Sequence, residues 1–488
     1  MTNRNFWSWV ANNGITANLI SGAVVSFVGI IVWVSSRRIL GIIVNETITA
    51  AISALIAAVV VVLLCWCVYC LHGIIKSDSK RKKFWELVQS DGFKRFSVEA
   101  MVRYYGEKFF TKVNGIDFPV FVVPSKSLPH VTSITGFDVL CDSASSKLTD
   151  FDVAEHMGYR DSLYYKEYSY LLEGKIKYPD RPGYMLDEIH LDSDGAVDKV
   201  SVHVGTFAEN VYTCHVLEYE LYRAYLKYEK ALRRKRTEQY WITAMANMEV
   251  RNRIHADVGG MSKEGFFTRM YHSLLCGHGR HSLLSVQMLF VTKSKQTGIY
   301  EVKIAQRSSK VAISPNIYQF IPAGGFEILN DSEDDKYDDK ELAENFSPGC
   351  AVFREFLEEL FSEPEFEGSG TGSVAERVLN DSRIRKINEM LKDGRASMQF
   401  LGSVMDLCGL RHELSFVLVI HDEDYSDIQF IGNEECKKGR VISIPIDEFD
   451  ADTTIWKNIH GPSAVMWGLF KQSELFRRVS RRATSYTG

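Results

Sequence analysis

Hydrophobic and polar positions change their rhythm several times along the chain. Thr16–Ser35 and Ile48–Leu71 are uncharged apolar runs, each long enough to cross a bilayer as a helix. From Phe84 to about Val113 helical and turn signals alternate, and Phe118–Pro124 (FPVFVVP) reads as a strand ended by proline. Short apolar runs broken by Gly, Pro, Asp and Ser between Gly136 and Gly205 predict an α+β unit with several loops. About Glu209–Glu249 apolar residues recur at helical spacing without Gly or Pro, which predicts one long helix. Beyond Gly277–Arg280, read as a linker, come strands over Ser282–Lys293 and Ile299–Gln306, then an amphipathic helix from Pro348. A helix over Ser373–Lys392 follows, with strands over Met398–Gly409, Glu413–His421 and Val441–Phe449 and a closing helix over Pro462–Phe476.

This pattern divides the chain into a transmembrane hairpin (1–78), an α+β middle region (79–277) and a C-terminal region of strands and helices (278–488). A secretory signal is the alternative for the first run, but its apolar stretch is long for that role. Lys76 and Lys80–Lys83 behind the second run outnumber Arg37 and Arg38 in the connector, so both termini are expected in the cytoplasm, with the protein in the inner membrane. Small residues four apart (Ala50, Ala54, Ala58; Gly22, Ser26) suit helix–helix seams, within one hairpin or between chains.

Composition adds exclusions. The 488 residues carry a net charge of −5, which gives no signature of binding a nucleic-acid polymer. Nine cysteines show no disulfide or zinc-ribbon rhythm. His272, Cys276, His278 and His281 fall close together, but their spacing fits no standard zinc site. The basic end of the long helix, Arg233–Arg236, is ordinary for a helix C-terminus. The tyrosines at 164, 165, 168 and 170 are read as core.

Candidate chemistry concentrates in Phe320–Phe361. Ser347 is placed to cap a helix and Pro348 suits its first turn. On that helix Glu355, Glu358 and Glu359 fall at i, i+3 and i+4, so three carboxylates share a face. A solvated acidic face is the plain reading of such a row; a divalent cation such as Mg²⁺ is the other.

With FIPAGGFE upstream, this stretch resembles the Nudix box, G-x5-E-x7-R-E-U-x-E-E-x-G-U (U a bulky aliphatic residue). Gly325 matches the opening glycine, and Arg354, Glu355, Phe356, Glu358 and Glu359 match the central REUxEE. Twenty-eight residues separate Gly325 from Arg354, more than twice the spacing of the pattern, and Phe361 replaces the second glycine. The insertion includes Asp331–Glu344, with eight acids among fourteen residues; Glu344 is a candidate for the first glutamate of the box. The resemblance spans about Ser282–Phe476 and implies a C-terminal α/β/α sandwich. It implies Glu355, Glu358 and Glu359 as Mg²⁺ ligands and catalytic groups. It further implies Gly324, Gly325 and Arg354 at the ligand, and Arg307, after the second strand, facing substrate phosphate. Glu413 is a candidate extra acid or base.

Two spans joined to a Nudix-like domain resemble the 2TM–Nudix effectors of bacterial cyclic-oligonucleotide antiphage systems (CBASS). That resemblance implies a domain that senses a cyclic nucleotide, drives self-association into a homo-oligomer and disrupts the lipid bilayer to abort infection. The alternative is a membrane-tethered Mg²⁺-dependent pyrophosphohydrolase acting on nucleoside diphosphate derivatives.

Overall fold

The computed structural model describes residues 79–126, 131–145, 159–172, 182–244, 247–256, 265–308, 316–328, 342–343, 345–363, 374–428, 430–432 and 436–484. The chain divides into two compact units, Met1–Ser79 and Lys80–Gly488, and apart from Ser79 the described residues belong to the second. Helix α1 (Asp91–Tyr105) leads into a small hairpin, β1 (Thr111–Val113) and β2 (Ile116–Phe118), then β3 (Val120–Pro124) and β4 (Cys141–Ser145). Helix α2 (Tyr159–Leu172) and the long hairpin β5 (Pro182–Leu191) and β6 (Val197–Thr206) follow. Next come α3 (Val216–Arg233), α4 (Thr237–Ala244), α5 (Glu249–Ala256) and α6 (Phe266–Leu275). The remainder supplies β7 (Ser285–Lys293), β8 (Tyr300–Arg307), β9 (Tyr318–Phe320), β10 (Ala323–Gly325) and α7 (Pro348–Phe361). Helices α8 (Val374–Asn380) and α9 (Ser382–Asp393) precede β11 (Ala396–Asp406), β12 (Arg411–Ile420) and β13 (Cys436–Pro445), and α10 (Gly461–Gln472) and α11 (Glu474–Thr484) close the chain.

The main sheet runs β13-β8-β7-β12-β11-β3, with β9 on β8 and β10 on β7. Its centre is the parallel pair β7–β12, whose runs VQMLFV and LSFVLVI are apolar on both faces except at the paired Gln287 and Ser415, which hydrogen-bond to each other (3.0 Å). Such continuous apolar strands belong in a sheet covered on both faces. Phe353, Phe356, Leu357 and Leu360 of α7 pack with Leu414, Phe416 and Leu418 on one face. Val465, Met466 and Trp467 of α10 pack with Val417, Val419 and Leu289 on the other. Strand β3 completes one edge by pairing with β11, so residues ahead of the C-terminal region contribute to this sheet.

The fold class expected from the sequence, headed by two transmembrane helices, needs correction: among the described residues no helix is long and apolar enough to cross a membrane, and those residues form an α+β structure. The runs Thr16–Ser35 and Ile48–Leu71 lie outside the described residues. The same finding corrects the expected placement as a multi-pass inner-membrane protein. Even α3, eighteen residues long, interleaves Glu218, Glu220, Arg223, Lys227 and Lys230 with its apolar positions.

The single helix expected over Glu209–Glu249 is broken. A π-turn at Val211–His215 precedes α3, and α3 stops where Lys235 takes a left-handed backbone (φ 54°). Arg236 N–H then reaches Ala231 O (2.9 Å) and Lys235 N–H reaches Leu232 O (3.0 Å), a Schellman closure made with lysine where glycine is usual. Asp381 likewise splits the helix expected over Ser373–Lys392 by capping α9, and Ser473 separates α10 from α11. Gly277–Arg280 is no loose linker. A Cβ on Gly277 would overlap the Leu186 carbonyl, and Arg280 is 1 % exposed.

Candidate functional site

Helix α7 starts as its sequence dictates: Ser347 Oγ accepts from Cys350 N–H (3.3 Å) and donates to Asp138 Oδ1 (2.6 Å), with Pro348 in the first turn. The apolar stripe of α7 faces the sheet, and this rotates Glu355 and Glu359 towards β10 while Glu358 remains half-buried.

Arg354 ties these parts together. Its Nη2 donates to Gly325 O (2.8 Å) and to Glu355 Oε1, and its Nη1 lies 3.5 Å from Glu327 Oε2. Burial alone would depress this guanidinium, but Glu355, Glu358 and Glu327 outweigh it and push its pKa up. Glu355 lies flat on Gly324, where any Cβ would overlap its carboxylate. Glu359 Oε2 accepts from Ala323 N–H (2.8 Å). The helix and the glycine turn are therefore pinned to each other by three side chains of the REFLEE run. Beside them a cavity of about 50 Å³ is lined by Tyr184, Phe326, Ile328, Cys350 and Arg354, among others. It is far smaller than a drug-sized ligand needs.

The structure thus gathers Gly324, Gly325, Arg354, Glu355, Glu358 and Glu359, but sets Glu413 and Arg307 in a second cluster. Glu413, Ser285 and Gly325 occupy one row across β12, β7 and β10, which puts Glu413 about 10 Å from Gly325 at the Cα level. Glu413 pairs in register with Val404, whose side chain belongs to the core under α10, so the carboxylate lies on the side of the sheet away from α7. Burial raises the Glu413 pKa to about 7, with Asp406 adding to the rise and Arg411 and Arg307 opposing it. Arg307 Nη1 also donates to Gln319 Oε1 (2.9 Å). His460, just ahead of α10, feels the same two arginines; burial first, then their charge, lowers its pKa to about 3.

This donor set does not fit a resident Mg²⁺. Among the described residues no three His, Cys, Asp or Glu side chains are grouped to hold a metal ion. Glu355 is committed to Arg354, and Glu359 gives an oxygen to a backbone N–H. The expected Mg²⁺ ligand set of Glu355, Glu358 and Glu359 is therefore not assembled among the described residues. Glu344 lies outside the described residues. Of the His/Cys group, His281 Nδ1 lies 3.3 Å from His203 Nε2, and His203 Nδ1 lies 2.5 Å from Asp187 Oδ1.

Sequence reasoning missed Glu327, Arg411, Asp406 and His460. Glu327 carried a signal, standing two residues past Gly325 in the glycine turn; the other three meet only through the sheet.

No family model matches the chain, and no curated relative matches it. Solved structures do. Nudix proteins are among the solved structures it resembles. One is a MutT/Nudix family protein from Enterococcus faecalis, at 16% identity and TM-score 0.19 over 40% of this chain and 55% of that one. Another is a NUDIX hydrolase from Alicyclobacillus acidocaldarius, at 13% identity and TM-score 0.21 over 38% of this chain and 90% of that one. The chain thus spans about half the length of the first, and at these TM-scores neither likeness says anything about the site.

Proposed function

We propose that the region Ser282–Phe476 is a Nudix-like module that recognises the phosphates of a nucleotide and holds the ligand without cleaving it. The observation that carries this reading is the internal commitment of the box: Glu355 and Glu359 lock the glycine turn to α7 instead of converging on a cation. Anion recognition falls to the sheet end, where Arg307 and Arg411 approach Glu413 and His460. Guanidinium forks suit phosphate oxygens, and burial strengthens the contact. The ligand class favoured by the resemblance is a cyclic di- or trinucleotide of antiphage signalling, with ligand-driven self-association as the response. Calorimetric titration of the full chain with such nucleotides tests the reading. Saturable binding that is lost in Arg411→Ala supports it; absence of heat across the panel removes it.

One observation favours hydrolysis instead. A carboxylate with a pKa near 7 is poised to take a proton at neutral pH. This second reading requires release of phosphate or mononucleotide from a nucleoside diphosphate derivative, with loss of release in Glu413→Gln and Glu358→Gln. A protein silent towards a broad panel with Mg²⁺ and Mn²⁺ eliminates it.

A further inference from the structure

The turn that joins β11 to β12 sits between two charged groups that act on Glu413, namely Asp406 and Arg411. Leu410 in this turn has φ 53°, a conformation that residues with a Cβ seldom adopt. Three carbonyls of the turn point inward, and side chains from outside the hairpin meet each of them. Leu407 O accepts from Arg251 Nη1 (2.6 Å) and Cys408 O from Arg251 Nη2 (2.8 Å). Leu410 O accepts from Arg280 Nε (3.2 Å) and Ser282 Oγ (3.1 Å).

Both guanidiniums are deeply buried, at 0 % and 1 % exposure. Arg251 is further held by Tyr105 Oη (2.9 Å) and lies 3.8 Å from Glu220, whose other oxygen accepts from Val250 N–H (2.8 Å). Arg280 Nη1 donates to Ser273 O (3.0 Å). One residue along, His412 Nε2 donates to Leu274 O (2.7 Å) and its Nδ1 meets Ser403 Oγ (2.8 Å). Helix α5, through Arg251, and α6 with the segment behind it, through Leu274 and Arg280, thus grip one hairpin end, while Tyr105 of α1 backs Arg251.

Burying two cations is costly, and apolar side chains of similar volume would close the same space with a smaller penalty. What the two forks supply beyond volume is direction: each fixes particular carbonyls of a turn in a disfavoured conformation. We infer that Arg251 and Arg280 are positioning residues, which hold the 406–411 turn so that Asp406, Arg411 and Glu413 keep their arrangement at the sheet end. This rests on the proposed role of that cluster in ligand recognition, but its test uses no nucleotide.

The test compares the full chain with Arg251→Met/Glu220→Gln, which removes both buried charges and keeps an acceptor for Val250, and with the milder Arg280→Lys and Ser282→Ala. Hydrogen exchange is read on peptides covering 404–413 and, as a reference for global opening, on the β8–β13 ladder. The Glu413 carboxyl is titrated by ¹³C NMR and assigned by its loss in Glu413→Gln. The expected result is exchange at 404–413 faster by about tenfold or more in the double variant, with the reference ladder unchanged. The Glu413 midpoint should also fall towards the ordinary carboxylate range as water enters. Arg280→Lys and Ser282→Ala should shift both readouts in the same direction by less, so the role stays testable if the double variant does not fold. Equal acceleration in both regions, or an unmoved Glu413 midpoint in every folded variant, overturns the inference. Failure of nucleotide binding with these results intact would refute the ligand reading and leave the positioning role standing.

Discussion

Gly324→Ala is the sharpest perturbation of the box. Alanine's Cβ would occupy the space of the Glu355 carboxylate, which is itself held by Arg354 and only 8 % exposed. Either the helix backs away from β10 or the carboxylate leaves Arg354. Crowding of a packed site costs about 1–3 kcal/mol, and loss of one charged hydrogen bond about 1.5–3 kcal/mol. The variant should therefore be destabilised by about 2 kcal/mol, since one escape or the other is taken. In a Glu355→Ala background the space is already open, and the same substitution should cost less than about 1 kcal/mol. Urea unfolding of wild type, both single variants and the double variant yields the coupling, expected at about 1–2 kcal/mol. A Gly324→Ala cost that is the same in both backgrounds would refute the claim that glycine is there to seat Glu355.

Three further outcomes are expected. Glu413 has a folded pKa of about 7 against an ordinary 4.5, so its contribution is fully present below pH 4.5 and is lost as pH rises through 7; Glu413→Gln should leave stability unchanged at pH 4 and raise it by up to about 3 kcal/mol at pH 8, read from urea midpoints. Ser347→Ala removes the cap of α7 and the hydrogen bond to Asp138 and should cost about 1–2 kcal/mol by the same measurement. Lys235→Gly relieves a left-handed lysine at the end of α3 and should stabilise the protein by up to about 1 kcal/mol, seen as a higher thermal midpoint.

The features legible in the sequence are those encoded locally. Ser347, Pro348 and the spacing of Phe353, Phe356, Leu357 and Leu360 state the start and the buried face of α7 without help from the rest of the chain. The apolar runs of β7 and β12 announce central strands. Other features had no local mark. Lys235 ends a helix in the role glycine normally takes, so periodicity ran straight through the break. Gly277–Arg280 reads as polar punctuation, yet its arginine is buried, and one of the two carbonyls it serves, Leu410 O, lies 130 residues away. Glu413 is unremarkable in sequence; its raised pKa comes from burial, with Asp406 on the neighbouring strand adding to it. The three box glutamates were read as one face, and tertiary packing divided them between a guanidinium, a backbone amide and the half-buried edge.

The central claim is that this site binds a nucleotide's phosphates and leaves them uncut. Its most direct test is titration of the full chain with a panel of cyclic di- and trinucleotides, with and without Mg²⁺, followed by chromatography of the recovered ligand. The account predicts saturable binding to at least one of them, abolished in Arg411→Ala, with the ligand recovered intact. No binding by any member of the panel, or a bound ligand recovered as cleaved product, would contradict it.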